Sequence, residues 1–187
     1  MRDGEIRHAL LAKIAEEHGA DPATRVVSEL SMCLGEGRVD VGVVNGVLSG
    51  FEIKSASDRL TRLPRQREVY ERCLDFITIV TEEKWLSSVG DHIPDWWGIV
   101  VAAEDDHAVS LTEARPAERN GGLDPLSLAQ FLWREEAAAV LRLRDVRVPS
   151  RATRWDLWDL LVEHLTPDEL ALCVRDHLRA RPDRAAT

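Results

Sequence analysis

RVDVGVVNGVLSGFEIKS, residues 38–55, is the stretch that decides the fold. Apolar residues recur through both halves and Asn45-Gly46 divides them, a strong short-range signal for a β-hairpin. Strands are expected over 38–44 and 47–54. Three charged residues run against that pattern: Asp40, Glu52 and Lys54. Glu52 and Lys54 are two apart and share one face of their strand, so Phe51 and Ile53 take the other face, which must be core. Where Asp40 points depends on the turn. A two-residue loop sets it opposite Phe51, on the wrong face. A three-residue loop over 45–47, or a bulge near Gly50, sets it opposite Glu52. One of these shifts is expected. Asn-Gly suits a type I turn followed by a left-handed glycine, and Gly50 suits a bulge.

The rest of the chain arranges itself around the hairpin. Ile6, Leu10, Leu11 and Ile14 form one stripe of a helix over 5–17, with Gly19 as its stop. A short strand is expected over 25–32. Beyond the hairpin, 60–73 reads as a helix, with Pro64 marking a fresh start near its beginning. The near-continuous apolar run 76–81 suits a central strand. A short helix over 82–90, a strand over 96–103 and an edge strand over 107–114 follow. The texture then changes. Residues 115–124 read as a linker, 126–143 as one helix capped by Asp124, and 155–164 and 167–178 as two more. Thr166 and Glu169 have the spacing of a capping box. The expected organisation is an α/β core over 1–114, a linker over 115–124, a helical extension over 125–180 packed on the core, and a disordered tail over 181–187.

Composition bounds the function. The chain has 187 residues, 44% hydrophobic and 30% charged, the profile of an ordinary globular domain. No stretch is long and apolar enough for a membrane span, and no signal peptide is apparent. Three widely spaced cysteines, Cys33, Cys73 and Cys173, make neither a disulfide framework nor a ligand pattern, and Cys33 and Cys73 give no sign of reactivity. A reducing, cytoplasmic setting is expected. The net charge of -9 argues against broad nucleic-acid affinity but not against a local basic patch. Residues 57–67 are such a patch: Arg59, Arg62, Arg65 and Arg67 stand against one acid, Asp58. A phosphate backbone could sit there. A solvated helix face paired to Glu68 and Glu71 explains the same run.

With Asp40 beside Glu52, two carboxylates converge with an ammonium at hand. Close carboxylates share a proton or a cation. Oxygen ligands favour Mg²⁺ or Mn²⁺, with the Ile53 carbonyl as a further donor. Such an ion could activate water for attack on a phosphodiester, with Lys54 positioning that water or neutralising phosphoryl charge. Gln66 and Tyr70 share a helix face and could point back at the carboxylates. Glu29, and less so Glu5, are candidates for a third carboxylate. The plainer reading is a hairpin whose solvent face carries a Glu-Lys pair.

The order α-β-β-β-α-β, Asp40 separated by eleven residues from Glu52-Ile53-Lys54, and Gln66-x-x-x-Tyr70 on the next helix together resemble the PD-(D/E)XK nuclease superfamily. Over most of the chain, from Glu5 to Leu178, the likeness extends to a bacterial nuclease-like family within it. The resemblance implies a restriction-endonuclease-like mixed sheet flanked by helices, and Mg²⁺-dependent cleavage of phosphodiesters, most readily of DNA. Asp40 and Glu52 would be metal ligands, Lys54 the catalytic lysine, and Gln66 and Tyr70 accessory. The superfamily includes restriction, repair and junction-resolving enzymes, and some act as homodimers that cut two strands. The position before Asp40, often proline in the superfamily, is Val39. Some members keep the fold without catalysis, so a nucleic-acid-binding module or a scaffold in a larger assembly is the alternative. Elsewhere, Trp96-Trp97 reads as one core and one boundary ring, and Trp133, Trp155 and Trp158 as anchors for the helical extension.

Overall fold

The computed structural model describes residues 1–19, 21–55, 58–105 and 108–182. Helix α1 (Asp3–His18) leads into β1 (Arg25–Met32), β2 (Gly37–Val44) and β3 (Leu48–Lys54). A 3-10 turn (Leu60–Arg62) opens helix α2 (Leu63–Cys73), and Pro64 sits in its first turn. Then come β4 (Phe76–Glu82), α3 (Leu86–Gly90), β5 (Gly98–Asp105) and β6 (Ala108–Arg115). Four helices complete the described chain: α4 (Pro125–Ala129), α5 (Arg134–Arg142), α6 (Arg154–His164) and α7 (Pro167–Ala180). The tail residues 183–187, and His107 and Ser57 of the segments read above, lie outside the described residues. No helix among the described residues is long and apolar enough to cross a membrane.

The six strands form one mixed sheet in the order β1-β2-β3-β4-β5-β6. The β3–β4 and β4–β5 pairs are parallel and the others antiparallel. The apolar strand β4 is therefore central, with Ile77, Ile79 and Val80 wholly buried. Both faces are covered. On one, Ile6, Leu10 and Ile14 of α1 pack on Val41, Val43, Ile53, Val80, Val100 and Ala102. On the other, α2 and the C-terminal helices share one continuous apolar cluster with the sheet. The fold is thus a mixed central sheet flanked by helices, with a helical C-terminal region.

The hairpin adopts the three-residue loop. Val41 pairs with Phe51 and Val44 with Leu48, leaving Asn45, Gly46 and Val47 in the turn. The Asn45 side chain accepts the Val47 N–H at 3.0 Å, and the Asn45 N–H donates to the Val47 carbonyl at 3.0 Å. Gly46 is not left-handed; the glycines with positive φ are Gly19 and Gly35. Gly50 serves close packing rather than a bulge, since a Cβ there would lie 2.5 Å from Leu74 Cδ1.

The helical region departs from expectation in two places. Residues 126–143 are two helices, not one. The Phe131 carbonyl accepts from Arg181 Nη2 at 2.6 Å, and the Trp133 N–H donates to Glu136 at 2.7 Å, starting α5 afresh. Of the three tryptophans expected as anchors, only Trp158 is buried, donating to the Leu132 carbonyl at 3.1 Å. Trp133 and Trp155 are exposed, because the break between α4 and α5 turns the first outward and the second edges onto Trp158 from the rim. A buried ion pair ties the helical region to the sheet: Arg175 of α7 reaches both oxygens of Asp75 at 2.7 and 2.9 Å. Asp75 also accepts the Leu48 N–H at 2.7 Å.

Gly37 opens β2 directly beneath α2. A Cβ there would come within 2.6 Å of Val69 Cγ1 and 2.9 Å of its Cβ, atoms held close to the helix backbone. Gly37→Ala should therefore lower stability by about 1–3 kcal/mol, the usual range for overpacking. Urea denaturation of the two proteins measures it, and equal midpoints would contradict this packing.

Candidate polar cleft on the β2–β3 hairpin

Five residues singled out in the sequence meet at one place. Glu52 and Lys54 share a face of β3, but that face is not open to solvent. Helix α2 lies over it, and both side chains are about 95% buried or more. Lys54 Nζ donates to Glu52 Oε1 at 2.6 Å and to Gln66 Oε1 at 3.1 Å. Gln66 Nε2 donates to Glu52 Oε1 at 2.6 Å. The Tyr70 hydroxyl lies 2.6 Å from Glu52 Oε2 and 2.7 Å from the Arg38 carbonyl oxygen. Its single proton serves one of these at a time. Burial raises the Glu52 pKa, opposed by Lys54 and reinforced by Asp40. Burial and the neighbouring Glu52 also raise that of Tyr70.

Asp40 sits where the ladders on both sides give way. The β1–β2 pairing skips from Ser28–Val41 to Leu30–Val39, and Glu29, mid-strand, has φ 56°. A glutamate in the left-handed region is strained. Asp40 Oδ2 accepts the Ile53 N–H at 2.7 Å, and Oδ1 accepts from Arg7 Nη2 of α1 at 2.7 Å. Arg7 Nη1 also donates to the Asp40 carbonyl at 2.9 Å. Glu29 bridges Arg7 at 3.0 Å and Arg38 at 2.6 Å. Burial lowers the Arg7 pKa, but Asp40, Asp3 and Glu29 outweigh it and raise the value above the ordinary one. Arg7 was not singled out in the sequence. It lies on the apolar-striped helix and reaches the site only because α1 packs across the sheet.

This arrangement corrects the metal-site reading. The Asp40 and Glu29 carboxylates are engaged by Arg7, that of Glu52 by Lys54, Gln66 and Tyr70. The backbone of Ile53 meets Asp40 through its N–H, which donates to Oδ2. Among the described residues no group of three or more His, Cys, Asp or Glu side chains is placed to hold a metal ion. Glu5 is elsewhere, accepting the Arg2 N–H at 2.6 Å at the start of α1.

An open cleft leads to this network. Glu29, Glu36, Arg38, Asp40, Arg62 and Arg65 are among the residues that line it. Arg59, Arg62 and Arg65 are exposed and make no ion pair among the described residues. Arg67 differs: its Nε donates to Glu71 at 2.8 Å, the helix-face pairing that competed with a phosphate role.

Lys54→Met should destabilise the fold by about 3–5 kcal/mol at neutral pH, the cost of breaking a buried pair. The loss should shrink as pH falls. A carboxyl whose folded pKa is raised favours the fold below its unfolded pKa, and that advantage is lost as pH rises to the folded value. Removing the ammonium raises the folded value of Glu52 further and so deepens the loss at neutral pH. Denaturation at mildly acid and neutral pH tests this, and a penalty independent of pH would contradict it.

Comparison with known proteins overturns the nuclease assignment. The profile of the family described as Bacteriophage P4 protein cII matches residues 1–184. Protein cII of Enterobacteria phage P4 is 24% identical over 170 residues, covering 91% of this chain and 64% of that protein. The chain thus spans less than two thirds of the length of this relative. A solved structure, the SPO1766 protein of unknown function from Silicibacter pomeroyi, aligns with a TM-score of 0.49 and 19% identity, over 78% of this chain and 92% of that one. The expected membership of the PD-(D/E)XK superfamily is replaced by the cII match. Metal-dependent cleavage, an endonuclease or exonuclease activity and the Mg²⁺ or Mn²⁺ cofactor go with it, since the described residues offer no metal cluster. With a match that spans nearly every residue, the chain belongs to the bacteriophage P4 protein cII family.

Proposed function

We propose that this chain is a non-catalytic nucleic-acid-binding protein, with DNA as its ligand, built on a restriction-endonuclease-like sheet. Residues 1–114 form its α/β core and 125–180 its helical extension. The observation that carries the reading is the set of exposed arginines, Arg62 and Arg65 lining the cleft and Arg59 at the start of the 3-10 turn that carries Arg62, all without ion-pair partners among the described residues. In a chain of net charge -9, unpaired cations collected at one cleft favour a polyanion. The acids lining the cleft do not oppose this strongly. Glu29 is offset by Arg7 and Arg38, Asp40 by Arg7, and Glu36 by Arg72 at 2.9 Å.

In this reading Asp40, Glu52, Lys54, Gln66 and Tyr70 form the floor of the cleft. Their work is to hold α2 on β3, which fixes the direction of Arg62 and Arg65. Arginines of this kind bind phosphates and carry no base specificity by themselves.

Fluorescence anisotropy with labelled duplex and single-stranded DNA, over a range of salt, tests the proposal. Replacing Arg59, Arg62 and Arg65 with alanine, singly, should reduce the slope of log K against log salt by about 0.9 for each duplex phosphate no longer neutralised. Affinity should be unchanged by chelator. A slope and affinity indifferent to all three substitutions would remove the proposed surface.

A further inference from the structure

Two cysteines separated by forty residues in sequence meet in the core. Cys33 Sγ and Cys73 Sγ are 3.5 Å apart, both thiols are free, and both are buried. Cys33 begins the tight turn between β1 and β2, and Cys73 is the last residue of α2. The turn is conformationally loaded: Cys33, Leu34 and Gly35 have φ of 49°, 58° and 95° in succession. Non-glycine residues adopt this region at a cost. The same turn is already held to α2 by Arg72, whose guanidinium donates to Glu36 at 2.9 Å. Its next residues, Gly35, Glu36 and Gly37, line the cleft. Hydrogen bonding from Cys73, helped by Ser127 and the charge of Arg72, lowers the Cys33 pKa, while its pairing with Cys33 and burial raise that of Cys73. Cys33, 4% exposed against 0% for Cys73, is also the thiol nearer solvent, so it is the nucleophile and Cys73 the resolving partner.

We propose that Cys33 and Cys73 are an oxidation site that closes to an intramolecular disulfide under hydrogen peroxide and clamps the β1–β2 turn to the end of α2. The Cys33 thiolate attacks the O–O bond of the peroxide and keeps one oxygen as a sulfenic acid. The other oxygen leaves as hydroxide and takes up the Cys33 proton to become water. The Cys73 sulfur then attacks the Cys33 sulfur, and the sulfenic hydroxyl departs as a second water with the Cys73 proton. Two thiols are oxidised, one peroxide is reduced, and no further reactant is needed. The sulfurs must close from 3.5 Å to about 2.05 Å, a movement of the Cys33 side chain in an already strained turn and of the Cys73 side chain at the end of α2. Leu34, Gly35 and Glu36, the turn residues that follow Cys33, are exposed, so the turn is the side from which a small neutral oxidant reaches it.

The site does not depend on nucleic-acid binding. The test uses the full chain, reduced and then exposed to excess peroxide, with peptide mapping under non-reducing conditions. The expected product is a Cys33–Cys73 linked peptide that dithiothreitol releases and that Cys173→Ser still forms. In Cys73→Ser, Cys33 should be trapped by dimedone as the sulfenic acid. Native hydrogen exchange should show the amides of Gly35, Glu36 and Gly37 several-fold slower in the oxidised protein. Oxidation of Cys173 while Cys33 and Cys73 stay alkylatable after denaturation would overturn the site. A linked pair with unchanged exchange in the turn would overturn the clamp.

Discussion

The structure depends on a buried carboxylate that has been given enough donors. Glu52 could not lie beneath α2 as an unpaired charge, since the desolvation alone would cost several kcal/mol. Lys54, Gln66 and Tyr70 all point at its two oxygens. Two of these donors are four residues apart on α2, so satisfying Glu52 fixes the helix in both position and rotation. Tyr70 extends the constraint to the Arg38 carbonyl and hence to β2. A network of this kind contributes little net stability compared with an apolar replacement, but it admits few alternative packings. Its effect is to define where the helix sits.

A second group of charges is organised from the other side of the sheet. Arg7 of α1 reaches Asp40, Glu29 and the Asp40 carbonyl together. It fills the gap that opens where the β1–β2 ladder skips Glu29 and Asp40. The left-handed Glu29 then has a physical reason: its strain is offset by ion pairs to Arg7 and Arg38 that a regular strand residue would not make. Two carboxylates near each other invite a cation, and in this protein the cation is a side chain.

Much of the site could be read from spacing alone, and the reasons are local. Glu52 and Lys54 are two apart in a strand, Gln66 and Tyr70 four apart in a helix, and Asn45-Gly46 limits the hairpin to a few registers. Such periodicities bind residues close in sequence. Arg7 was not legible, because nothing in a helix thirty-three residues upstream marks which turn will cross Asp40. The same holds for Cys33 and Cys73, brought together by the turn and the end of α2. The break between α4 and α5 was hidden because it is held by Arg181, far along the chain. The resemblance to nucleases followed the local spacings faithfully, but the distant Arg7 changes what those residues can do, and the family match lies elsewhere.

The ion pair between Asp75 and Arg175 has a consequence for the order in which the protein assembles. The two residues are one hundred positions apart, yet Asp75 is 1% exposed and also receives the Leu48 amide beside the hairpin turn. During synthesis the sheet strands emerge long before α7. Without Arg175, Asp75 would keep only the Leu48 amide and, at 3.5 Å, the exposed Arg119, and would lack the close charge that its burial demands. Such a long-range pairing raises contact order and slows folding. The charge that allows the start of β4 to be buried is therefore carried by α7, one hundred positions further along the chain.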